Sequence, residues 1–433
     1  MRIAFTTLGC KVNHYETEAM RELFQQAGWD VVPFASPAEV YVVNTCTVTQ
    51  VSDKKSRQLL SQAHRRAPEA LVVATGCYAQ TEAEKVASLP GVGLVLGTDG
   101  RREIVARVAQ ALSERGCSAP DVPNARGIER FEELSAIADT RTRATLKIQD
   151  GCNNFCSYCI IPYARGPIRS RSMESIEREL RSLAARGFSE VVLTGIHLAS
   201  YGRELAPDAE GHRPDLVDVL RLANGIDGLR RIRLGSLEPK FCDARFAEEA
   251  AALPKLCRQF HLSLQSGSDT VLRRMNRKYT TAEYREAVRL LRQTMPDCAV
   301  TTDVIAGFVG ETEREHRETM AFVEESGFAR IHVFPYSRRP GTRADAMEGH
   351  LEKQTKEARA AELIALGHRL ETAFVERQIG TEQEILLEDD GTGYTGNYVR
   401  VRAAGNGNEG EIRRVRIVGR EDTTAIGEEC TNE

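Results

Sequence analysis

Three cysteines in one short segment have the spacing of an iron-sulfur site. Cys152, Cys156 and Cys159 form a Cys-x3-Cys-x2-Cys sequence just after an apolar stretch. Soft thiolates favour iron-sulfur clusters, and three of them can each bind one iron of a four-iron, four-sulfur cluster and leave the fourth iron open. The spacing therefore predicts a cluster with an open iron. A zinc site or three core cysteines are the alternatives.

Three further cysteines are distant in sequence but share a position relative to predicted strands. Cys10, Cys46 and Cys77 each follow an apolar strand in the first part of the chain. The carboxyl ends of parallel strands meet in one crevice, which would let these thiols converge. Buried cysteines acting as small apolar residues are the alternative. Core or surface thiols are expected for the other five cysteines, which are Cys117, Cys242, Cys257, Cys298 and Cys430. Among the histidines only His197, which follows the second barrel strand, is a candidate of interest, and a packing role is expected for it.

The elements that must position these residues alternate between strands and helices, which predicts an α/β fold. Residues 1–116 are expected to form an N-terminal α/β domain with a parallel sheet, 117–138 a linker, 139–376 a partial (βα)6 barrel and 377–433 a small antiparallel β-barrel. The reactive face of such a (βα) barrel lies at the carboxyl ends of its strands. Its six strand candidates are Leu146–Ile148, Val191–Leu193, Ile232–Leu234, Phe260–Leu264, Val300–Ile305 and Ile331–Phe334.

Strands are also predicted in the N-terminal and C-terminal domains, and helix N-termini are predicted in the central domain. The first domain has candidates at Ile3–Leu8, Val40–Val43 and Leu71–Ala74, and the last at Glu384–Leu387, Tyr398–Val401 and Glu411–Val418. Thr280 with Glu283 and Thr312 with Glu315 have the spacing of capping boxes.

The composition of the chain narrows the classes of function that the protein could have. The chain has 433 residues, a formal net charge of -4 and eleven cysteines. An odd number of cysteines without a secretory leader argues against a disulfide scaffold and for metal or redox chemistry in a reducing compartment. No apolar stretch is long enough to span a bilayer, so we expect a cytoplasmic protein with no membrane contact. The acidic balance means that any nucleic-acid contact must be a local patch.

Two local patches could contact RNA. One brackets the Cys152 loop, and the other interleaves aromatic and basic residues on the terminal strands. A solvated charged face is the alternative for both. The patches are Arg141, Arg143, Lys147, Arg165, Arg169 and Arg171, and Tyr394, Tyr398, Arg400, Arg402, Arg413, Arg414 and Arg416.

The motifs together resemble a known family. The Cys152 loop on a partial barrel resembles the radical S-adenosylmethionine superfamily. Leu8-Gly9-Cys10-Lys11-Val12-Asn13, Asn44-Thr45-Cys46-Thr47-Val48-Thr49, Gly76-Cys77-Tyr78-Ala79-Gln80 and the run from Cys152 to Gly166 resemble the methylthiotransferases within it. The resemblance covers nearly the whole chain and implies that the terminal barrel is an RNA-binding TRAM domain.

The resemblance also implies a substrate branch. The sequences around Cys10 and Cys46, with Ser52 to Gln58, look like the branch that acts on N6-threonylcarbamoyladenosine at position 37 of transfer RNA. His14 departs from that branch, where glutamine is expected. The alternatives are isopentenyladenosine in transfer RNA or ribosomal protein S12 as the acceptor. A non-catalytic iron-sulfur sensor that binds RNA is an alternative of another class.

The implied chemistry requires two four-iron, four-sulfur clusters and S-adenosylmethionine. A cluster on Cys152, Cys156 and Cys159 would cleave S-adenosylmethionine to a 5′-deoxyadenosyl radical that abstracts hydrogen from carbon 2 of the adenine. An auxiliary cluster on Cys10, Cys46 and Cys77 would carry the sulfur, which a second S-adenosylmethionine methylates. The electron donor would be a flavodoxin or ferredoxin, and we expect a monomer. Candidate contacts to S-adenosylmethionine are Tyr158, Thr194, Gly195, Ser236, Glu238 and Gln265.

Overall fold

The N-terminal domain is a parallel sheet with helices on both faces. We describe a computed structural model, which covers residues 1–114, 120, 122–136, 142–388, 390–403 and 407–430. The sheet has the strand order β2-β1-β3-β4-β5. Its elements are β1 (Arg2–Thr7), α1 (Lys11–Gln26), β2 (Asp30–Val32), β3 (Val40–Thr45), α2 (Gln50–Arg66), β4 (Leu71–Gly76), α3 (Cys77–Thr81), α4 (Ala83–Ala87), β5 (Val92–Val95) and α5 (Ile104–Glu114).

This domain confirms the predicted parallel sheet and adds to it. β3 and β4 are buried because apolar cores pack against both faces of the sheet, which matches their continuous runs of valine and alanine. The short strands β2 and β5, at the two edges, were not predicted. Cys10 lies between β1 and α1, Cys46 follows β3, and Cys77 is the first residue of α3 after β4.

The second domain is an open barrel of parallel strands wrapped by helices. Its elements are β6 (Ala144–Lys147), β7 (Gln149–Asp150), α6 (Ile161–Arg165), β8 (Arg169–Ser170), α7 (Met173–Ala185), β9 (Glu190–Thr194), α8 (Leu216–Asn224), β10 (Arg231–Leu234), β11 (Ser236–Leu237), α9 (Ala244–Ala251), β12 (Gln259–Leu262), α10 (Asp269–Arg274), α11 (Thr281–Thr294), β13 (Ala299–Ala306), α12 (Glu313–Ser326), β14 (Arg330–Pro335) and α13 (Lys353–Glu376).

The barrel strands run β6-β9-β10 and β11-β12-β13-β14, and a bridge between Ile232 and Leu256 joins the two sheets. All six predicted strands are present. Both predicted capping boxes are confirmed at the starts of α11 and α12. Apolar residues on the outer face of the strands pack against the helices in one large core. Because strand side chains alternate between the two faces, the polar residues between them line the lumen.

The C-terminal domain is a closed barrel of five short strands. They are β15 (Glu382–Leu387), β16 (Thr392–Thr395), β17 (Arg400–Ala403), β18 (Ile412–Glu421) and β19 (Thr424–Glu429), in the order β15-β16-β17-β19-β18. This confirms the predicted barrel, although β16 and β19 were not predicted. Within the described ranges, no helix is long and apolar enough to cross a membrane.

Candidate functional site

The Cys152 loop lies at the carboxyl end of the first barrel strand and is anchored on both sides. The Cys152 N–H donates to Gly166 O at 3.0 Å, and the Ser157 N–H donates to Met275 O at 2.9 Å. Ser157 O accepts from the Ala344 N–H at 2.7 Å. The loop is therefore fixed by segments that follow α6, α10 and β14.

Glycine is required where this loop begins. Gly151 has a φ of +71°, and a Cβ atom there would lie 1.8 Å from Pro167 O. Any larger residue would be strained and would also clash with backbone. Phe155 has a φ of +47° and an exposed ring, which is uncommon for a bulky residue and marks a constrained loop.

The three thiols of this loop fit cluster binding. Burial raises the pKa of Cys152 to about 11 and that of Cys159 to about 12, and the neighbouring Cys156 adds to both shifts. Metal coordination would remove these protons outright. Among the described residues, no three His, Cys, Asp or Glu side chains are spaced to bind one metal ion together. A four-iron cluster does not require that spacing, because each cysteine binds a different iron.

Arg277 supplies positive charge directly to this loop. Its Nη1 donates to Cys156 Sγ at 3.2 Å, and the guanidinium stacks on the Tyr279 ring at 4.7 Å. A cation at a cluster thiolate stabilises the more negative, reduced state.

We expect Arg277→Met to make the reduction potential of the cluster on this loop more negative by roughly 50 mV, because losing about 1 kcal/mol of hydrogen bonding corresponds to about that shift for one electron. Redox titration followed by electron paramagnetic resonance measures it. Arg277→Lys, which keeps the charge, should shift the potential less. An unchanged potential in Arg277→Met would contradict the assignment.

The predicted S-adenosylmethionine contacts lie at strand ends around the same loop. The Glu238 carboxylate contacts the loop, since it lies 3.3 Å from Asn154 Nδ2, and it lies 3.6 Å from Arg277 Nη2. Burial would raise the pKa of Glu238, but a hydrogen bond from His197 and the charge of Arg277 lower it overall. The other five remain candidates, with Tyr158 in the loop, Thr194 as the last residue of β9, Gly195 directly after it, Ser236 in β11 and Gln265 after β12.

His197 belongs to this site, although the sequence predicted only packing. Its Nε2 lies 3.0 Å from Asn154 Nδ2 and 3.2 Å from Glu238 Oε2. The backbone N–H of His197 donates to Gln149 Oε1 at 2.6 Å. The signal in the sequence was its position just after a barrel strand, where reactive residues gather.

The second cysteine triplet converges at the carboxyl edge of the N-terminal sheet. A Cβ atom on Gly9 would lie 3.0 Å from Cys46 Sγ, which places Cys46 beside the residue before Cys10. Burial raises the pKa of Cys77 to about 12, the charge of Arg165 opposes the shift, and Cys10 and Cys46 contribute to it. Gly76 has a φ of +91°, and a Cβ atom there would lie 2.3 Å from Asn44 Oδ1, so glycine is needed for this close approach.

The two triplets face each other across the domain interface. Arg165, shortly after the Cys152 loop, donates from Nη2 to Asn13 Oδ1 at 2.7 Å, and Asn13 follows Cys10. On the other side, Arg339, after β14, donates from Nη1 to Asp53 Oδ2 at 2.6 Å and from Nη2 to Thr47 Oγ1 at 2.5 Å. The carboxyl ends of both parallel sheets therefore border one space.

Buried ion pairs join the two domains beside this space. The Glu16 carboxylate lies 2.7 Å from Lys147 Nζ, 2.7 Å from Arg165 Nη1 and 3.1 Å from Arg101 Nη2. Asp150 pairs with Lys147 at 2.6 Å and with Arg165 at 3.1 Å.

The structure therefore contradicts the first predicted RNA patch. Four of its members are buried ion-pair partners and cannot form a surface for RNA: Lys147, Arg165, Arg169 and Arg171. Arg143 pairs with Glu190 at 3.1 Å and with Glu388 at 3.0 Å. Arg141 lies outside the described residues, as does Cys117.

The arginines and the tyrosines of the second predicted patch lie on different surfaces of the C-terminal barrel. Arg400 and Arg402 share an exposed face of β17, as predicted, and Arg414 and Arg416 do so on β18. All four have carboxylate partners within 3.1 Å. The two tyrosines are turned instead toward the central domain, where Arg143 lies over Tyr394 at 4.9 Å and Arg233 over Tyr398 at 4.6 Å.

A cluster of charges occupies the amino end of the barrel lumen. Glu190 lies within 3.1 Å of Arg143, Arg231 and Arg233. The hairpin between β16 and β17 lies across this end, since Arg233 donates to Thr395 O and Gly396 O at 3.2 Å.

Lys11, the first residue of α1, is influenced electrostatically by the same charges. Its side chain is accessible to solvent, yet desolvation lowers its pKa, and the charges of Arg233 and Arg143 lower it further against the opposing effect of Glu190.

Comparison with known proteins agrees with this geometry. Residues 2–97 match the model of the uncharacterized protein family UPF0004, and residues 146–323 match the radical SAM superfamily. The structure resembles TsrM, a radical S-adenosylmethionine methyltransferase from Kitasatospora setae, with a TM-score of 0.58, 18% identity and coverage of 79% of this chain and 77% of that one. That likeness supports the fold.

Relatives of similar length match this chain over most of its residues. The threonylcarbamoyladenosine tRNA methylthiotransferase MtaB of Bacillus subtilis is 41% identical over 96% of this chain and 93% of its own, and the enzyme of that name in Aquifex aeolicus is 37% identical over 96% and 100%. A tRNA-2-methylthio-N(6)-dimethylallyladenosine synthase of Pelotomaculum thermopropionicum is 33% identical over 89% and 87%. On these identities the chain belongs to the radical S-adenosylmethionine methylthiotransferase family, in the branch of the MtaB enzymes.

Proposed function

We propose that this enzyme converts N6-threonylcarbamoyladenosine at position 37 of transfer RNA into its 2-methylthio derivative, with two four-iron, four-sulfur clusters and S-adenosylmethionine. The observation that carries the proposal is that two cysteine triplets, each able to leave an iron open, border one space between two parallel sheets. A substrate atom held there can meet groups bound to either triplet. The MtaB relatives supply the identity of the base.

The first role of the chain is to hold the two cofactor sites apart at a fixed distance. Cys152, Cys156 and Cys159 would hold the cluster that reduces S-adenosylmethionine, and Cys10, Cys46 and Cys77 the auxiliary cluster. Bound S-adenosylmethionine and a reduced cluster supply a radical able to remove hydrogen from carbon 2, an unactivated aromatic position. The Arg165 to Asn13 and Arg339 to Thr47 contacts fix one triplet relative to the other.

The second role is to orient the cofactor around the radical loop. Glu238 and His197, which are joined to the loop through Asn154, would bind the amino group of S-adenosylmethionine. Thr194, Gly195, Ser236 and Gln265 lie at or near the ends of barrel strands and would contribute to the same site. Tyr158 packs edge-on against Phe308 with ring centroids 6.4 Å apart. Backbone and side-chain dipoles fixed before binding need no reorganisation during the reaction.

The test is mass spectrometry of nucleosides after anaerobic incubation. Reconstituted enzyme, reductant, S-adenosylmethionine and transfer RNA bearing N6-threonylcarbamoyladenosine should yield the 2-methylthio nucleoside together with 5′-deoxyadenosine. Transfer RNA bearing isopentenyladenosine is the matched control and should stay unmodified. Formation of 5′-deoxyadenosine without the nucleoside product would overturn the substrate assignment, and absence of both from fully loaded protein would overturn the enzymatic one.

A further inference from the structure

We propose that a cavity beside the two cysteine triplets binds a second nucleotide of the transfer RNA, an unpaired neighbour of adenosine 37, whose base stacks on Tyr163 and Arg126. This inference rests on the proposed function and deepens it, since it names a site that holds the substrate strand apart from the reacting base. It concerns recognition of the RNA and leaves the chemistry at carbon 2 unchanged.

The cavity has a volume of about 640 Å³ and is lined by residues of the first two domains and of the segment between them. That volume is within the range of sites that bind ligands of the size of a nucleotide. The lining includes Gln80, three residues after Cys77 of the first triplet. It also includes Ile160, which directly follows Cys159 of the other triplet. A nucleotide in this cavity would therefore lie next to the space that both triplets border.

An aromatic ring and a guanidinium lie together in this cavity. Tyr163, on α6, and Arg126 both line it, and Arg126 Cζ lies 5.3 Å from the centroid of the Tyr163 ring. Phe155 packs edge-on against the same ring with centroids 5.9 Å apart, which restrains the ring. Proteins that bind unpaired RNA bases stack them on aromatic rings and on guanidinium planes. The pair of side chains therefore fits a nucleobase.

The charge of Arg126 is free to contact the phosphate of the same nucleotide. Arg126 is exposed, and its guanidinium makes no ion pair or hydrogen bond with any residue that the structure describes. The other cation of the lining, Arg339, is buried and paired with Asp53 at 2.6 Å. Glu82, which also lines the cavity, lies 4.0 Å from Lys85 Nζ. A carboxylate repels phosphate but accepts hydrogen bonds from the amino group of a base.

The wall that carries Arg126 is fixed to the N-terminal domain before any RNA binds. Gln80 Nε2 donates to Pro123 O at 2.7 Å, and Gln80 Oε1 accepts from the Thr98 N–H at 2.8 Å. Asn124 Oδ1 in turn accepts from the backbone N–H of Arg126 at 3.0 Å. A site that is rigid in its binding conformation loses less entropy when a ligand binds. None of the candidate contacts to S-adenosylmethionine is among the described residues that line the cavity, so it is separate from that cofactor site.

The first experiment measures binding, so it needs no turnover. Labelled anticodon stem-loop RNAs bearing N6-threonylcarbamoyladenosine at position 37 are titrated with cluster-loaded enzyme under anaerobic conditions and followed by fluorescence anisotropy. One RNA is intact, and two others lack the base on the 5′ or the 3′ side of position 37. The wild type should bind one of the abasic RNAs about 5- to 150-fold more weakly than the intact RNA, the range expected for one stacked base. Equal affinity for all three RNAs would overturn the proposal without any variant.

The second experiment assigns the lost affinity to the cavity. Tyr163→Leu should lose most of the preference for the intact RNA and bind the sensitive abasic RNA as the wild type does, while Tyr163→Phe should retain the preference. Iron content and circular dichroism confirm that each variant is loaded and folded.

The phosphate contact is tested by the salt dependence of binding. Arg126→Gln should lower the slope of log affinity against log salt concentration by about 0.7, the value for one phosphate of a single strand. Arg126→Lys, which keeps the charge, should retain the slope. Arg289→Gln, at an exposed ion pair with Glu286, is the matched control and should behave as wild type. An unchanged slope in Arg126→Gln would contradict the contact between Arg126 and phosphate.

The remaining outcomes separate other occupants and the proposed function itself. If Tyr163→Leu weakens all three RNAs by the same factor, the ring has a structural role. If RNA binding is unchanged and S-adenosylmethionine binding or the rate of reduction by flavodoxin falls instead, the cavity serves the cofactor or the electron donor; each of these results overturns the proposal. A wild type that shows the expected base dependence but forms no methylthio nucleoside would overturn the proposed reaction and leave the nucleotide site standing.

Discussion

Replacing Cys159 with alanine is expected to abolish both 5′-deoxyadenosine and the methylthio nucleoside, whereas replacing Cys77 is expected to abolish only the nucleoside. Each triplet provides three ligands and no spare one, so the loss of one thiolate should cost more than the roughly 10- to 100-fold typical of losing a partner outside the ligand set. The two products are measured in the same anaerobic assay by mass spectrometry. The two products are expected to respond differently because the two cysteine triplets lie in different domains.

The control for these variants is Cys298→Ala. Cys298 is also buried, but it lies in the apolar core of the barrel domain, so both products should persist at wild-type levels. Retention of the methylthio nucleoside by Cys77→Ala with only one cluster loaded would contradict an auxiliary role for the first triplet. Loss of 5′-deoxyadenosine in Cys77→Ala with the Cys152 loop fully loaded would contradict the assignment of radical formation to that loop.

The second large effect is expected at the domain interface, from Glu16→Gln. This change keeps the size of the side chain and removes the charge that faces Lys147, Arg101 and Arg165. Breaking a buried ion pair by removing one partner costs about 3–5 kcal/mol, because the remaining charges stay buried. The midpoint of urea unfolding of the loaded enzyme should fall accordingly. Glu286→Gln, at an exposed pair with Arg289, should leave the midpoint unchanged.

The pH dependence of stability provides an independent check on Glu16. Burial would raise its pKa, but the charges of Arg101, Arg165 and Lys147 lower it from 4.5 to about 2. A group with a depressed folded-state pKa contributes stability above its ordinary pKa and loses it as pH falls toward the folded value. The unfolding midpoint of Glu16→Gln should therefore vary less between about pH 4.5 and 2 than that of the wild type. Identical pH profiles would show that another carboxylate dominates.

Local patterns were sufficient to predict most of the fold. The six barrel strands have four to eight residues and alternate with helices that have clear caps, such as Thr280 with Glu283, and these signals act within one element. Among the missed strands, β2, β5 and β16 have only three or four residues, and β19 has only two apolar residues among its six. Pairing with distant strands, which no local pattern encodes, completes them.

The candidate site was predictable in part for a related reason. The closely spaced cysteines of the Cys152 loop are a local signal. The distant cysteines Cys10, Cys46 and Cys77 could be assigned to one site because each follows a predicted strand. Burial of charge is a tertiary property, so Lys147 and Arg165 resembled a basic surface although Glu16 and Asp150 enclose them. His197 was underestimated because a lone histidine carries no spacing, and only the structure brings it to Asn154 and Glu238.

The ion pairs between the first two domains also bear on how the chain folds as it is synthesised. The N-terminal sheet is complete within the first 114 residues, before Lys147 and Arg165 leave the ribosome. Until then Glu16 has only its intradomain partner Arg101 and remains hydrated at the surface. Domains generally fold as units in order of synthesis, and exposed apolar surface is what makes partly made chains aggregate. The joining surface also carries Tyr15, Ala19 and Leu23, which pack into the core of the barrel domain, so its charged residues limit the apolar area that the nascent first domain exposes until the barrel emerges.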